Sequence, residues 1–448
     1  MLNNYLHTNT KAAPLAVFRF LFGWLMLAST LRFWFNGWIK SIYIAPKWFF
    51  TYYGFEFVKP LGNLTYLLFF IIGVTSVAIA LGYYYKYAIV IFFLSFTYVE
   101  LIDKTTYLNH YYFVSLVSFV LIFLPANVTF SIDARKSTVS KSEVPRWTID
   151  VLKLLIAIVY VYAGVAKLNS DWLLEALPLK IWLINKTHFP VIGTLFQYEW
   201  SAYAFSWLGM LYDLTIPFFL MYKPTRRFAF IAVVIFHMLT YMLFQIGIFP
   251  FVMTLAVFVY FSPAFHEKLI HVVSSKIKLL NVAKSSVFEF SAKAKRIIYP
   301  ILGCFVIFQL VFPWRYLCYP GELFWTEEGY RFSWRVMLIE KMGTAVFTIK
   351  DPIDGKSFNI RNADFLTPFQ IKQMATQPDF ILQYAHMLRD HYKKEGVKNP
   401  EVYVESYVTL NRRLSKQFID PKTNLANEKD SFAPKKWILP FNGTIKGL

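Results

Sequence analysis

The sequence has few cysteines and few charged residues for its length. Of its 448 residues only two are cysteines, Cys304 and Cys318, and 16% are charged. Two cysteines are too few for a disulfide framework and their spacing fits no metal site, so two unpaired thiols are favoured over one structural bridge. Soluble domains usually carry about a quarter charged residues. The composition therefore argues against a cytosolic globular protein.

Several chemical motifs are also missing. The chain has no nucleophile elbow, no phosphate-binding glycine loop and no zinc-type cluster, so we predict no metal cofactor. The net charge of +19 would suit nucleic acid, but no recognised binding motif accompanies it, and we predict no nucleic-acid partner. The N-terminus lacks a basic region followed by an apolar core and a cleavage site, so the first hydrophobic run is predicted to stay as an anchor.

Long hydrophobic runs are the main feature of the sequence. Hydrophobic residues make up 56% of the chain and aromatic residues 20%, a usage that suits membrane helices with aromatic belts. Because a bilayer core needs about 20 apolar residues per helix, the sequence predicts about nine spans. They lie near 14–34, 62–82, 87–103, 110–130, 148–168, 203–222, 228–246, 248–264 and 298–314. The QIGIFP segment that begins at Gln245 is short, which predicts a tight turn or a re-entrant feature between two of them.

The distribution of positive charge predicts the orientation. Three connections collect most of the basic loop residues: Arg135, Lys136, Lys141 and Arg146; Lys223, Arg226 and Arg227; and Lys268, Lys276, Lys278, Lys284, Lys293, Lys295 and Arg296. Positive loops face the cytoplasm. An odd number of spans then places the N-terminus in the cytoplasm and everything after about residue 315 outside, in the periplasm if the membrane is a bacterial inner membrane. The interleaved lysines of 266–297 predict an amphipathic helix on the inner leaflet.

The character of the chain changes after about Trp314. Alternating residues at 344–349 and 402–410 predict strands, and 371–392 has helical spacing. Asp354 and Gly355 form a plausible hairpin turn. We therefore predict two domains, a helical membrane domain over 1–314 and a mixed α/β, strand-containing extracytoplasmic domain over 315–448.

Of the ionisable residues in or beside the predicted spans, where charge is costly and function is common, three stand out. Lys167 ends the fifth span, His110 opens the fourth and His237 lies inside the seventh. The predicted topology puts all three towards the outer face, so they can face one chamber. A snorkelling lysine and structurally hydrogen-bonded histidines remain the alternatives. Asp213 requires a partner in the bundle, and Arg19 is one candidate.

The segments around these residues carry a family resemblance. Lys167 lies in AGVAKLNSDW, His110 in LNHYYFVSLVSFVLIFLPAN and His237 in FHMLTYMLFQIGIFPFVM. These segments resemble the vitamin K-dependent γ-glutamyl carboxylases and their bacterial relatives, the HTTM membrane proteins. FWTEEGYRFSWRVML and EVYVESYVTLNRRLSKQFIDP continue the likeness in the same order. The resemblance covers nearly the whole chain.

The resemblance implies an activity and a set of cofactors. Members of this family use reduced vitamin K (phylloquinol or menaquinol), O₂ and CO₂ to convert peptidyl glutamate to γ-carboxyglutamate, with quinone epoxide as the second product. Protein side chains titrate between about 4 and 12, so none can remove the γ-proton of glutamate directly. In the family, the ionised quinol reacts with O₂ to yield a much stronger base. The implied partners are a glutamate-containing peptide or protein, membrane lipids and the quinone pool.

The resemblance also implies residue roles. Lys167 would be the base that ionises the quinol, since a lysine at the edge of an apolar bundle is disfavoured as a cation. His110 would guide the carbanion or CO₂ step, and His237 would shape the quinone pocket. The substrate-binding mouth would be formed by Trp325, Tyr330, Trp334 and Arg331. Glu327 and Glu328 place negative charge there, which Arg331 or Arg335 would have to offset.

Two other functions stay open at this point. One keeps the fold but omits carboxylation, as a quinol-dependent oxygenase or epoxidase. The other is a transporter or lipid-binding scaffold, which would show broken helices in paired repeats; no internal repeat stands out in the sequence.

Overall fold

The structure is a computed structural model that describes residues 2–136, 140–244, 246–275 and 286–447. Its N-terminal part is a bundle of apolar helices. In chain order they are α1 (Ala13–Phe35), α2 (Leu64–Leu81), α3 (Tyr85–Ile102), α4 (Asn109–Ile122), α5 (Trp147–Val165), α6 (Glu199–Met221), α7 (Arg226–Leu243), α8 (Phe249–Ala256), α9 (Pro263–Ser274) and α10 (Ala292–Val311). Short helices at Leu2–His7, Trp38–Tyr43, Ser170–Leu173, Leu179–Ile184 and Leu323–Thr326 and the paired strands Asn9–Lys11 and Glu143–Pro145 lie between or beside them.

The hydrophobic runs of the sequence become the helices of the bundle. Seven helices in the described part of the chain are long and apolar enough to cross a membrane. The helix predicted over 110–130 is shorter and ends at Ile122, three residues before Pro125. A helix stands at every predicted span, so the predicted helical membrane fold is confirmed.

The predicted span over 248–264 is broken. Its first part runs from Phe249 to Tyr260, and the chain then bends by 116° into α9. Pro263 opens α9, where the missing N–H costs nothing, and the Ser262 hydroxyl caps the helix by accepting from Phe265 N. The amphipathic segment predicted over 266–297 begins in α9. Lys276, Lys278 and Lys284 lie outside the described residues, as does Gln245.

Arg19 does not pair with Asp213, which corrects that expectation. The Arg19 guanidinium is fully buried and donates to backbone carbonyls, at 2.9 Å to Ala126 O and 2.5 Å to Ala80 O, and also to Ile79 O and Phe130 O. These carbonyls belong to the end of α2 and to the loop after α4, where the backbone lacks helical partners. Arg19 therefore joins the ends of two membrane helices to α1.

The C-terminal part is built on a four-stranded antiparallel sheet. Its strands are β1 (Lys341–Lys350), β2 (Ser357–Asn359), β3 (Glu401–Leu410) and β4 (Lys416–Gln417), in the spatial order β2-β1-β3-β4. The long central pair runs from Lys341 opposite Leu410 to Lys350 opposite Glu401. Both predicted strands are therefore confirmed, and so is the β1–β2 hairpin with Gly355 at φ +71°.

The helix predicted over 371–392 is two helices. The first, α11 (Pro368–Met374), is opened by a capping box between Thr367 and Gln370. The second, α12 (Pro378–Lys394), begins at a proline, which cannot continue a preceding helix. Both helices pack against the sheet and close the core of this domain.

The C-terminal domain lies directly on the loops of the bundle. Gln370 Nε2 donates to Trp48 O at 2.7 Å, Gln383 Nε2 to Thr51 O at 2.9 Å and Lys47 Nζ to Asp364 O at 2.8 Å. These contacts join it to the loop between α1 and α2. The two parts therefore share an extended polar boundary, and the cavities described next lie at or just below it.

Candidate functional site

Lys167 is buried and forms an ion pair. It lies two residues beyond the end of α5, with 6% of its surface exposed. Its Nζ donates to Asp213 Oδ2 at 2.6 Å and to Ala163 O at 3.2 Å, and it stands 5.4 Å from the centre of the Trp172 ring. Asp213 is itself only 5% exposed, on α6. The lysine thus points into the protein and not towards lipid or solvent.

A glycine lets the two helices approach closely enough for this pair. A side chain at Gly164 on α5 would place its Cβ 2.7 Å from the Leu214 side chain on α6. Leu214 directly follows Asp213 in the sequence. Small residues at such crossings allow membrane helices to pack backbone to backbone. Gly164 therefore brings the carboxylate of one helix to the amine at the end of the other.

His237 shares a narrow apolar cavity with Lys167. The cavity has a volume of about 90 Å³ and is lined by both residues of the ion pair. His237 is 1% exposed; its Nε2 lies 2.9 Å from the Tyr160 hydroxyl, and its Nδ1 is buried without a hydrogen-bond partner. The aromatic walls of this lysine cavity are Tyr160, Trp172, Trp182, Phe205, Phe236, Phe244 and Phe249. The cavity therefore offers flat aromatic surfaces, one amine and one free imidazole nitrogen.

His110 lies in a second, larger cavity of about 970 Å³. It stands in the first turn of α4, is 5% exposed, and its buried Nε2 has no hydrogen-bond partner. Arg32, in the last turn of α1, also lines this cavity. Phe249 separates the two chambers, with its ring 5.8 Å from that of His110 and 5.6 Å from that of His237. The single chamber expected from the sequence is thus divided into two adjoining cavities.

Three charged residues, of which Lys104 is buried and Arg331 and Asp379 are partly buried, form a cluster beside the larger cavity. Arg331 Nη1 and Lys104 Nζ both bind Asp379 Oδ2 at 2.7 Å, and Arg331 also donates to Gln377. Burial alone would raise the pKa of Asp379, but the two cations hold it well below its usual range. Arg331 lines the cavity, and its guanidinium is engaged by Asp379 and Gln377.

Arg335 has a guanidinium with two unused donors. It is 5% exposed, lines the larger cavity and lies 4.4 Å above the Tyr316 ring. Its Nε and Nη1 are buried and have no hydrogen-bond partner, and burial lowers its pKa. A buried guanidinium with free donors is a strong site for a carboxylate.

The glutamates of this region do not oppose an incoming anion. Glu327 accepts from Lys341 Nζ at 2.8 Å, and Glu328 lies 3.4 Å from Lys435 Nζ. Each negative charge is therefore offset by a lysine. The sequence had assigned this role to Arg331 or Arg335, and the structure assigns it to lysines of the C-terminal domain.

The aromatic residues of the predicted mouth fall into two groups. Tyr330 lines the larger cavity. Trp325 and Trp334 line neither of the two cavities; they are 2% and 1% exposed and pack in hydrophobic cores. Trp325 Nε1 donates to Leu439 O at 2.8 Å, and Trp334 stacks on Tyr112 at 5.1 Å. Their contacts hold the loop that carries Tyr330 and Arg335.

Comparison with known families agrees with this architecture. The family model of the HTTM domain matches residues 7–265, which is more than half of the chain. The model of the vitamin K-dependent gamma-carboxylase lumenal domain matches residues 294–444. The chain belongs to the gamma-carboxylase family. No solved structure matches it.

The family match gives the C-terminal domain of this gamma-carboxylase relative an extracytoplasmic location, since its counterpart is a lumenal domain. The chain is thus an integral membrane protein with its two cavities at or near the base of that domain. In the described ranges, no three His, Cys, Asp or Glu side chains converge as metal ligands.

A clamp around a buried carboxylate joins the lysine-bearing segment to the lumenal domain. Asp171, four residues after Lys167, is 1% exposed. Its carboxylate accepts from Arg413 Nη2 at 2.6 Å and Nη1 at 2.7 Å, and from Asn411 Nδ2 at 2.8 Å. Asn411 and Arg413 belong to the NRR stretch after β3. The conspicuous SDW and NRR segments of the sequence are therefore two halves of one contact.

We expect Asp171→Asn to weaken this clamp. The substitution keeps the shape of the side chain but leaves the Arg413 charge unpaired. Because the Arg413 side chain is 29% exposed, the cost is below the about 3–5 kcal/mol of a fully buried pair. Thermal unfolding in detergent should show a clearly lowered midpoint, and limited proteolysis should release the lumenal domain. Asp420→Asn, at a carboxylate that only caps a local turn, is the matched control. Unchanged unfolding of Asp171→Asn would contradict the clamp.

Sequence reasoning missed several residues of the site. The sequence indicated that Asp213 needs a partner inside the bundle, but it suggested Arg19 and not Lys167 as that partner. Arg32 was not considered, and Arg335 only as a possible counter-charge. The signal for Arg335 was present in RFSWR, but which of its two arginines has free donors depends on the position of Asp379.

Proposed function

We propose that this protein is an integral-membrane vitamin K-dependent γ-glutamyl carboxylase. It would use reduced vitamin K or menaquinol, O₂ and CO₂ to convert peptidyl glutamate to γ-carboxyglutamate, with quinone epoxide as the second product. The observation that carries the proposal is the buried Lys167–Asp213 pair in an aromatic cavity, next to a larger cavity with unpaired cationic donors. One cavity suits proton removal in a dry environment, and the other suits a carboxylate.

The side chains of the lysine cavity suit a reduced naphthoquinone in their chemistry, but the cavity volume of about 90 Å³ would have to increase to admit the ring. Its walls are aromatic, and the unpartnered Nδ1 of His237 is available for a hydroxyl or carbonyl oxygen. Lys167, His237 and these aromatic side chains would hold the ring. When bound, reduced vitamin K supplies, together with O₂, a base strong enough to remove the γ-proton of glutamate.

Lys167 and Asp213 would act together as the proton acceptor. Moving one proton from Lys167 Nζ to Asp213 Oδ2 would convert this ion pair into a neutral amine and a neutral carboxyl group, two groups that an apolar cavity can hold without an unpaired charge. The neutral amine is then free to accept a proton at Nζ. In the sequence analysis, burial was the only reason for a neutral Lys167. The structure adds the Asp213 carboxylate, whose Oδ2 lies 2.6 Å from Lys167 Nζ.

The larger cavity would bind the glutamate side chain. Arg335 provides two unpartnered donors, and His110 Nε2 is a third unpartnered nitrogen at the same cavity. The lysine partners of Glu327 and Glu328 remove the negative charge that would repel a carboxylate. These features favour a carboxylase over a quinol oxygenase without carboxylation, which needs no carboxylate site. We keep Tyr330 and Arg331 as residues of the cavity wall, and Trp325 and Trp334 as supports of the same loop.

The same proposal includes an orientation and a domain division. The N-terminus would lie in the cytoplasm, with residues 1–314 forming the membrane domain and 315–448 the extracytoplasmic domain. A quinol from the membrane pool would reach the lysine cavity from the lipid, and the peptide would reach the larger cavity from outside. A transporter is less well supported, because the described helices include one bent pair and not breaks in two corresponding positions.

The function is tested by measuring both products in one reaction. Purified protein in detergent is incubated with reduced vitamin K, O₂, ¹⁴C-bicarbonate and a glutamate-containing peptide. We expect quinone epoxide and labelled carboxyglutamate to form together. Epoxide without label would establish the oxygenase alternative, and neither product would refute both enzymatic proposals.

His110→Ala should separate the two products. Because His110 lies in the carboxylate cavity and not with Lys167, we expect carboxylation to fall by about 10²-fold, the usual size of such a contribution, with a much smaller loss of epoxidation. His271→Ala, at an exposed histidine on α9, is the matched control. Equal losses of both products would remove His110 from the carboxylation step.

A further inference from the structure

A second arginine, Arg32, reaches the larger cavity from the last turn of α1. It is partly buried, and its Cζ lies 5.0 Å from the centre of the Trp38 ring, which lines the same cavity. Its Nε is buried and has no hydrogen-bond partner. None of the ion pairs formed by the described residues includes Arg32. The positive charge of Arg32 is therefore available to an anion in the cavity.

Arg32 and His110 both face Gly247. A Cβ atom at Gly247 would lie 3.4 Å from Arg32 Nη2, 3.9 Å from Arg32 Nη1 and 3.9 Å from His110 Nε2. These three nitrogens are its nearest neighbours outside the adjacent chain, and all three residues line the larger cavity. Gly247 has φ +65°, a conformation that only glycine adopts easily. The missing side chain thus leaves a small open space that three nitrogen atoms face.

These nitrogens suit a carboxylate. A guanidinium binds a carboxylate through two parallel N–H donors, and the Nε2–H tautomer of His110 would add a third donor. The larger cavity already has one such group in Arg335, and Asn109 Nδ2, next to His110, donates to Arg335 O at 3.1 Å. The cavity therefore offers two cationic groups. A glutamate side chain has one carboxylate, whereas its carboxylated product has two.

The space at Gly247 lies where the two cavities adjoin. Ile246 and Phe249, which flank Gly247 in the sequence, line both the larger cavity and the lysine cavity. The Phe249 ring lies 5.8 Å from that of His110. In the proposed reaction, the base formed from the quinol has to meet the γ-carbon of glutamate at this junction. A CO₂ molecule beside Gly247 would therefore be next to the carbanion when it forms.

We propose that Arg32 and His110 form, with the open space at Gly247, the site that receives CO₂ and holds the new carboxylate, while Arg335 holds the carboxylate that glutamate already has. This inference rests on the proposed function. In this step the electron pair of the γ-carbanion forms the new C–C bond, and one C=O bonding pair of CO₂ moves to oxygen. No proton is transferred. The negative charge thus moves from carbon to the oxygens beside Arg32, where a guanidinium stabilises it.

Arg32→Gln tests the site in turnover. The substitution removes the positive charge but keeps a polar side chain. We expect kcat/KM for CO₂ to fall by about 10²-fold, the usual loss when a donor to a developing anion is removed. Epoxide formation and KM for the glutamate peptide should change much less. A carbanion that is not captured by CO₂ takes a proton from water, so tritium from tritiated water should still enter the γ-position.

Arg227→Gln is the matched control, since Arg227 is exposed at the start of α7 and lines neither cavity. It should leave kcat/KM for CO₂ unchanged. An unchanged kcat/KM for CO₂ in Arg32→Gln would overturn the proposal. A loss confined to KM for the peptide would also overturn it, because Arg32 would then bind the carboxylate of glutamate.

Malonate tests the two carboxylate sites without turnover. It has two carboxylates on one carbon, as the product side chain does, whereas acetate has one. Each is added to purified protein in detergent at constant ionic strength, and Kd follows from the shift of the thermal unfolding midpoint. We expect wild type to bind malonate at least about tenfold more tightly than acetate, because a second carboxylate gains charge-assisted hydrogen bonds. Arg32→Gln should remove most of this preference, and an unchanged preference would contradict the site.

The two arms separate failure of this inference from failure of the proposed function. A wild-type protein that forms neither product would refute the function, while a malonate preference that depends on Arg32 would still support a site for two carboxylates. If wild type forms both products, and Arg32→Gln alters neither kcat/KM for CO₂ nor the malonate preference, this inference alone is refuted.

Discussion

Lys167→Ala is expected to abolish both quinol epoxidation and glutamate carboxylation. Lys167 Nζ is the amine of the aromatic cavity, and it donates to its proton partner Asp213. Loss of a positioned base costs about 10²–10⁴-fold in rate. Because carboxylation depends on the oxidised quinol, both products should fall together. Both are measured by chromatography and expressed per folded protein.

Lys167→Arg separates proton acceptance from simple charge pairing. Arginine keeps the positive charge beside Asp213 but cannot be deprotonated in a protein. We therefore expect this variant to fold and to be as inactive as Lys167→Ala. Lys180→Ala is the control, since Lys180 is also partly buried near an aromatic ring, Tyr203, but lines neither cavity. Substantial epoxidation by Lys167→Arg would show that the lysine is not the base.

Asp213→Leu is expected to be strongly destabilising, and removal of Lys167 as well should reverse most of the loss. Breaking a buried pair by removing one partner costs about 3–5 kcal/mol, whereas replacing both partners by apolar residues is often neutral or stabilising. The Lys167→Met/Asp213→Leu double variant should therefore unfold close to wild type. The four proteins of the cycle are wild type, Lys167→Met, Asp213→Leu and the double variant. Their thermal and denaturant unfolding in detergent gives the coupling free energy between the two side chains.

An ion pair with an exposed carboxylate provides the control for this cycle. Glu199, whose side chain is 77% exposed, lies 3.7 Å from Lys180. Glu199→Leu should change the free energy of unfolding by less than about 1 kcal/mol, as surface pairs usually do. If the Lys167 and Asp213 substitutions instead proved additive, the coupling free energy between the two side chains would be zero. The proposed proton transfer between Lys167 and Asp213 would then lose its structural basis.

Local patterns predicted the elements of this fold. A run of apolar residues long enough for a bilayer produces a helix wherever it occurs, because a spanning segment must satisfy its backbone hydrogen bonds internally. Alternation predicted β1 and β3 for an equally local reason, since successive side chains of a strand point to opposite faces. Where these patterns were wrong, a proline lay at the break: Pro263 opens α9 and Pro378 opens α12.

The candidate site was predicted only in part. Lys167, His110 and His237 could be selected because ionisable side chains are costly inside a membrane. Their grouping required knowledge of how each helix is rotated about its axis. The structure places Lys167 with His237 and puts His110 behind Phe249. Likewise, Arg331 and Arg335 are four residues apart, and only the position of Asp379 decides which of them keeps free donors.

The sequence by itself determined that the chain is a helical membrane protein with a strand-containing C-terminal domain. It also determined which ionisable residues lie within the membrane helices. Each of these properties depends on neighbours within one span or one strand. Only the tertiary structure decided that Lys167 meets Asp213, 46 residues further along, and that Asp171 meets Arg413. Such pairings depend on the close approach of helices, as at Gly164, and on a domain folding back onto loops distant in the chain, which no local pattern encodes.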